Sequence, residues 1–139
     1  MGEVRVKVQL ANAADDSLAR SGQLDASRVR RVNADALVDT GAVRSVITAP
    51  LAKALGLPLL NSGTVCSADG RKESVPLTGP ILFDIDGRDT YDDAYVLGDE
   101  VLIGQTVLEK MDLLVDCAGQ RLVPAHPEGP VNKLKRQRP

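Results

Sequence analysis

Two Asp-Gly pairs, Asp69-Gly70 and Asp86-Gly87, each sit between short runs of alternating apolar character, and they limit the fold more than any other feature. An Asp-Gly pair in that setting supplies the positive φ angles that a two-residue hairpin needs. Residues 64–68 with 71–77, and 81–85 with 88–97, therefore read as antiparallel hairpins. Ala118-Gly119 marks a third pairing, 113–117 with 120–123. Two longer strands come earlier. In residues 3–10, Val4, Val6, Val8 and Leu10 share one face, the period of a half-buried strand. Residues 28–39 alternate through Val29, Val32, Ala34, Ala36 and Val38, while 11–25 are small and polar and read as a loop. A short strand is expected at 45–48. Two short helices complete the reading. One runs from the Thr48 cap, with Pro50 in its first turn, to the Gly56 stop, and the other covers 105–111. Short strands with turns every 8 to 12 residues or so predict a mostly-β, single-lobe barrel, closed or partly open.

A chain of 139 residues has room for one such domain. Residues 1–123 form it, and the composition changes at Pro124. Pro124, Pro127 and Pro130 interrupt regular structure, and 133–138 carry four positive charges, so 124–139 is expected to be a disordered basic tail.

Composition removes several function classes. Phe83, Tyr91 and Tyr95 are the only aromatics, too few for base-stacking platforms. With 17 basic and 19 acidic residues the net charge is −2, which is no footprint for nucleic acid. Cys66 and Cys117 have no CxxC spacing and His126 is the only histidine, so no Cys/His zinc set can form. Reduced thiols are the simple reading of the cysteines, with a disulfide as the alternative. The first residues are charged where a signal peptide needs an apolar core, and Val6 stands where a myristoylation motif wants Ser or Thr. The longest uncharged stretch, 54–68, is broken by Gly56, Pro58 and Gly63, so no membrane helix is expected. The expectation is a soluble, cytoplasmic protein with no cofactor and no metal.

The passage that carries chemistry is Ala36-Leu37-Val38-Asp39-Thr40-Gly41-Ala42: an acid at the end of an apolar strand, then a hydroxyl residue, then glycine. Further on, Leu102-Ile103-Gly104 precedes the second helix, and the Asp69-Gly70 hairpin lies between the two motifs. In this order the chain resembles the retropepsin-like aspartic proteases over roughly residues 3–123, above all the bacterial and archaeal single-lobe members. The resemblance implies an aspartic endopeptidase. Two carboxyls sharing one proton can act as base and acid together, because like charges about 3 Å apart cannot both ionise. One Asp-Thr-Gly loop per chain then requires a homodimer, with Asp39 from each protomer.

The same resemblance assigns further roles. Thr40 would bond across the two-fold axis, and Gly41 would let the backbone turn sharply beside a peptide substrate. Ala42, Arg44 and Ile103 would line the substrate site. Ala68, Asp69 and Gly70 would form the tip of a flap, residues 67–72, closing over an extended peptide. Ala42 replaces the Ser of two-lobed enzymes, whose hydroxyl favours ionisation, so activity is expected at about pH 5 to 7. Retroviral enzymes usually pair an acid after this loop with an Arg after the second glycine. Val43 and Gln105 stand there instead. That departure leaves open a catalytically idle module for peptide binding or dimerisation, or an enzyme that a partner must activate.

Other acids carry weaker patterns. Asp84-Ile85-Asp86-Gly87 imitates a phosphatase nucleophile motif, but Arg88 follows it and too little chain remains. Asp84, Asp86, Asp89, Asp92 and Asp93 do not match the spacing of a calcium loop, and read as a solvated hairpin. Asp35 shares a strand face with Asp39 but lies about 13 Å away, too far for a dyad. His126 sits in the Pro-rich segment and is expected to be exposed, not part of a Ser-His-Asp triad.

Overall fold

The computed structural model describes residues 3–135, apart from the side chains of residues 61 and 62. The chain begins with strand β1 (Arg5–Asn12), helix α1 (Ala13–Arg20), a 3-10 turn (Ala26–Arg28) and strand β2 (Arg31–Val38). Strand β3 (Ser45–Ile47), helix α2 (Ala49–Ala54) and the hairpin β4 (Leu59–Cys66) and β5 (Lys72–Thr78) follow. Next come β6 (Ile81–Ile85), β7 (Arg88–Asp92), β8 (Ala94–Val96) and β9 (Val101–Ile103). Helix α3 (Gln105–Met111) and the pair β10 (Leu113–Asp116) and β11 (Arg121–Pro124) complete the described chain. Nine strands make one sheet, in the order β4-β5-β8-β3-β9-β2-β1-β6-β7, and β10-β11 stand apart. The large sheet curls into a half-barrel with β4 and β7 as its edges, the partly open form of the expected barrel.

The core fills the concave side. Leu10, Ile47, Ile81, Phe83, Ile85 and Ile103 are fully buried, as are Leu55 of the α2 cap and Val107, Leu108 and Met111 of α3. Each such side chain contributes about 1.5–3 kcal/mol of transfer free energy, and together they press both helices onto the sheet.

The structure changes four parts of the sequence reading. Residues 13–20, expected in a loop, form α1. Its Asn12 cap accepts from Asp15 N–H at 3.0 Å, and polar bonds do the work of an apolar face. Arg30 donates from Nε and Nη2 to the Asp15 carboxylate at 2.7 and 3.0 Å, with its backbone N–H adding a third bond at 3.1 Å. Asn12 Nδ2 meanwhile donates to the Leu55 carbonyl at 2.9 Å, tying α1 to the end of α2. Second, the expected strand 28–39 starts only at Arg31, because Val29 packs with Ala11 and Leu82 in a separate small cluster. Third, 88–97 is two strands. β7 pairs with β6, while β8 pairs with β3 and β5, and the break falls at Asp93.

The fourth change concerns the segment after Pro124. Instead of being free, its first part is tied to the end of α3. His126 Nδ1 lies 2.5 Å from Asp112 Oδ2, Val131 N–H donates to the same carboxylate, and Asn132 donates to the Glu109 carbonyl. His126 is thus only half exposed and holds Asp112 below the ordinary carboxylate range. Arg88 reaches the carbonyls of Met111, Asp112 and His126. The end of the basic run, residues 136–138, and Gly2 lie outside the described residues. Among the described residues, no helix is long and apolar enough to cross a membrane.

Candidate active site

β2 runs parallel to β9, pairing Ala36 with Val101, Leu37 with Leu102 and Val38 with Ile103. β9 in turn meets β3 at Val46. The loop 39–44 therefore leaves β2, passes the end of β9 and returns on its other side as β3. The apolar run 101–103 is wedged between the two arms of that loop, which is why two short motifs far apart in sequence form one unit.

Backbone bonds fix both ends of the loop. Asp39 N–H donates to the Ile103 carbonyl at 2.9 Å, and Ala42 N–H closes a turn onto the Asp39 carbonyl at 3.2 Å. From α3, Gln105 N–H donates to the Ala42 carbonyl at 2.8 Å and Thr106 N–H to the Val43 carbonyl at 3.1 Å. Gly104 makes this approach possible. A Cβ there would lie 2.6 Å from the Arg44 carbonyl carbon and 2.9 Å from Ser45 N, so backbone would have to move. The buried Ser45 hydroxyl also accepts from Gly104 N–H at 2.9 Å.

The Asp39 carboxylate is half-buried and accepts from Gly41 N–H at 3.1 Å. It faces a cleft of about 480 Å³ bounded on one side by Ala42, Val43 and Arg44 and on the other by Thr64, Val65 and Cys66 of β4. Val46 and Tyr95 also contribute to its lining. Arg44 donates from Nε to Asp93 at 3.0 Å, and its guanidinium sits 5.6 Å from the centre of the Tyr95 ring. Such a carboxylate can take a proton from water held in the cleft, or give one if protonated.

The site residues expected from sequence do not all meet here. Asp39, Gly41, Ala42 and Arg44 line the cleft, and Thr40 is exposed at the head of the loop. Gly41 is outside the left-handed region, and an added Cβ would meet only an Asp39 carboxylate oxygen, at 3.4 Å. That is ordinary van der Waals contact, so neither the turn nor the space within the chain demands glycine here. Ile103 is fully buried, and its carbonyl accepts from Asp39 N–H. Ala68, Asp69 and Gly70 are exposed at the β4–β5 tip, where Ser67 N–H donates to the Arg71 carbonyl at 2.7 Å and Gly70 has φ +83°. In this chain the hairpin contributes to the cleft through Thr64, Val65 and Cys66 instead. Those three, with Val46 and Tyr95, were missed. No local pattern marks them, because long-range pairing brings them to Asp39.

Three of the other acids have structural partners. Asp35 pairs with Lys7 at 3.4 Å, Asp84 accepts from Gly87 N–H in its hairpin turn, and Asp89 lies 3.6 Å from Arg20.

Residues 26–110 match the family described as "gag-polyprotein putative aspartyl protease", which spans more than half of the chain. The chain belongs to this family. Among solved structures it is similar to the retroviral protease-like domain of Ddi1 from Leishmania major, with 18% identity and a TM-score of 0.55 over 90% of each chain. It is also similar to EIAV protease complexed with the inhibitor HBY-793, with 21% identity and a TM-score of 0.49 over 55% of this chain and 75% of that one. No curated protein matches the sequence. The fold is that of the retropepsin-like aspartic proteases.

Proposed function

We propose that the protein is an aspartic endopeptidase that works as a cytoplasmic homodimer, each protomer supplying Asp39. The observation that carries this reading is the Asp39 loop itself. Its backbone is gripped by β9 and α3 while its carboxylate faces an open cleft. Pairing two such loops across a two-fold axis would bring the carboxylates together with Thr40 beside them, and a peptide would lie extended beneath the β4–β5 hairpins.

In the reaction the ionised Asp39 removes a proton from water as its oxygen attacks the peptide carbonyl. The protonated Asp39 of the partner gives its proton to the carbonyl oxygen. Collapse of the tetrahedral intermediate breaks the C–N bond, and the amine leaves with a proton from the dyad. No cofactor or metal takes part. Ala42 brings no hydroxyl to the carboxylate, and the rate maximum is expected at about pH 5 to 7.

The test compares wild type with Asp39→Asn on a peptide library read by mass spectrometry. Wild type should cleave and the variant should not. Identical products, or a rate maximum below about pH 3, count against the reading. A second reading, an idle module that binds peptides or dimerises, draws on Val43 and Gln105, which cannot form an ion pair. It predicts that both proteins bind peptide and neither cuts.

A further inference from the structure

The mechanism above leaves Asp92 and Asp93 without a role, yet they hold the segment after the Asp39 loop from two directions. β7 ends at Asp92 and β8 starts at Ala94, so the chain breaks between them, with Asp93 N–H donating to Asp92 Oδ1 at 2.9 Å. On one side, Asp92 Oδ2 accepts from the Thr106 hydroxyl at 2.7 Å. That hydroxyl also lies 3.0 Å from the Val43 carbonyl oxygen, which takes the Thr106 N–H as well. Lys110 Nζ stands 3.6 Å from Asp92 and donates to the Tyr91 carbonyl at 3.0 Å. On the other side, Asp93 accepts from Arg44 Nε at 3.0 Å while the guanidinium packs over Tyr95.

We propose that Asp92, acting through Thr106, and Asp93, acting through Arg44, are positioning residues that fix the segment Val43–Arg44 and so aim the Asp39 carboxylate. Val43 cannot anchor itself, because its side chain is 69% exposed and touches no core. Its carbonyl serves as the handle, and Thr106 holds it through the backbone N–H at 3.1 Å. The Thr106 hydroxyl has one hydrogen, and the Asp92 carboxylate at 2.7 Å takes it, so Asp92 sets where Thr106 sits. With its side chain only 14% exposed, Asp92 meets little competition from water, whereas Asp93 at 31% is the weaker half of the clamp. Misplacing a reacting group by about 1 Å can cost on the order of 100-fold in rate, so a clamp one turn away from Asp39 bears on turnover more than on binding.

The proposal rests on the endopeptidase reading for its kinetic arm but not for its structural arm. The intact protein and its Thr106→Val, Thr106→Ser, Asp92→Ala and Asp93→Ala variants are compared by amide exchange at Ala42, Gln105 and Thr106. Melting temperature is measured on each, with kcat and KM on a peptide that wild type cuts and Asp39→Asn does not. Thr106→Val and Asp92→Ala should each speed exchange at those amides by about tenfold and lower kcat by about tenfold, with KM within about twofold of wild type. Thr106→Ser keeps the hydroxyl and should stay near wild type. The Thr106→Val, Asp92→Ala double variant should lose no more than either single one. Asp93→Ala should cost about threefold. Exchange at wild-type rates in Thr106→Val, a Thr106→Ser loss as large as that of Thr106→Val, or multiplying losses in the double variant would overturn the clamp. If wild type cuts no peptide, the endopeptidase reading fails, and amide exchange alone decides the clamp.

Discussion

Asp15 and Asp39 each lie within a few residues of a strand's end, yet their surroundings treat the carboxylate in opposite ways. Asp15 receives three hydrogen bonds from Arg30 and lies almost entirely inside, where the guanidinium holds it below the ordinary carboxylate range. Asp39 has its backbone fixed by Ile103 and Ala42, while its side chain takes a bond from Gly41 and otherwise looks into the cleft. An acid that holds the fold together is saturated with donors. An acid available for chemistry has its main chain held and its oxygens left open.

The contrast breaks most sharply if the two acids are exchanged for their amides. Asp39→Asn should remove cleavage, a loss of at least about 1,000-fold, and leave the melting temperature within about 2 °C. Peptide cleavage and calorimetry on the same samples check both halves. Gly104→Ala comes next, because the added methyl meets Arg44 and Ser45 backbone. A loss of about 2–4 kcal/mol is expected in urea unfolding, from overpacking and a displaced loop. Asp15→Asn should cost roughly 1–2 kcal/mol with turnover unchanged, a modest figure because Arg30 is half exposed.

The same variant sharpens the comparison through pH. Asp15 has a lower pKa folded than unfolded, where the ordinary value is 3.8, so its contribution is complete above that value. It disappears as pH falls through the folded value. The gap in urea midpoint between wild type and Asp15→Asn should therefore stay constant above about pH 5 and close below about pH 4. A gap that widens on acidification would mean that Arg30 does not stabilise the charged form. The smallest effect belongs to the hairpin tip. Asp69→Ala removes one bond to Arg71 N–H in an exposed turn and should cost about 0.5 kcal/mol or less.

What could be read in advance follows the range of the forces involved. The Asp39 loop and the 102–104 motif were legible because each is a local word: an apolar strand followed by residues with special backbone or acid chemistry. The Asp69-Gly70 and Asp86-Gly87 hairpins were legible for the same reason. Helix α1 was not. Leu18, its one large apolar side chain, is 42% exposed, so hydrophobic periodicity is nearly silent there. The signals were polar, with Asn12 as cap, Asp15 and Asp16 in the first turn and Arg20 in the last. The cleft wall at Thr64–Cys66, the partner of Val43 at Thr106 and the anchoring of His126 on Asp112 each depend on pairing across the fold, which no short window contains. Ile103 combines the two: its motif is local and legible, while its full burial and the bond its carbonyl accepts from Asp39 N–H depend on the parallel pairing of β2 with β9.

The wedge of β9 between the arms of the Asp39 loop also bears on when the protein becomes complete during synthesis. Asp39 emerges from the ribosome well before Ile103 and Thr106, and until they arrive its loop has neither floor nor back wall. Closing so long a stretch of chain is a late event in folding. A nascent chain that ends between Asp39 and Ile103 would carry the acid without the β9 carbonyl and the α3 amides that fix its loop.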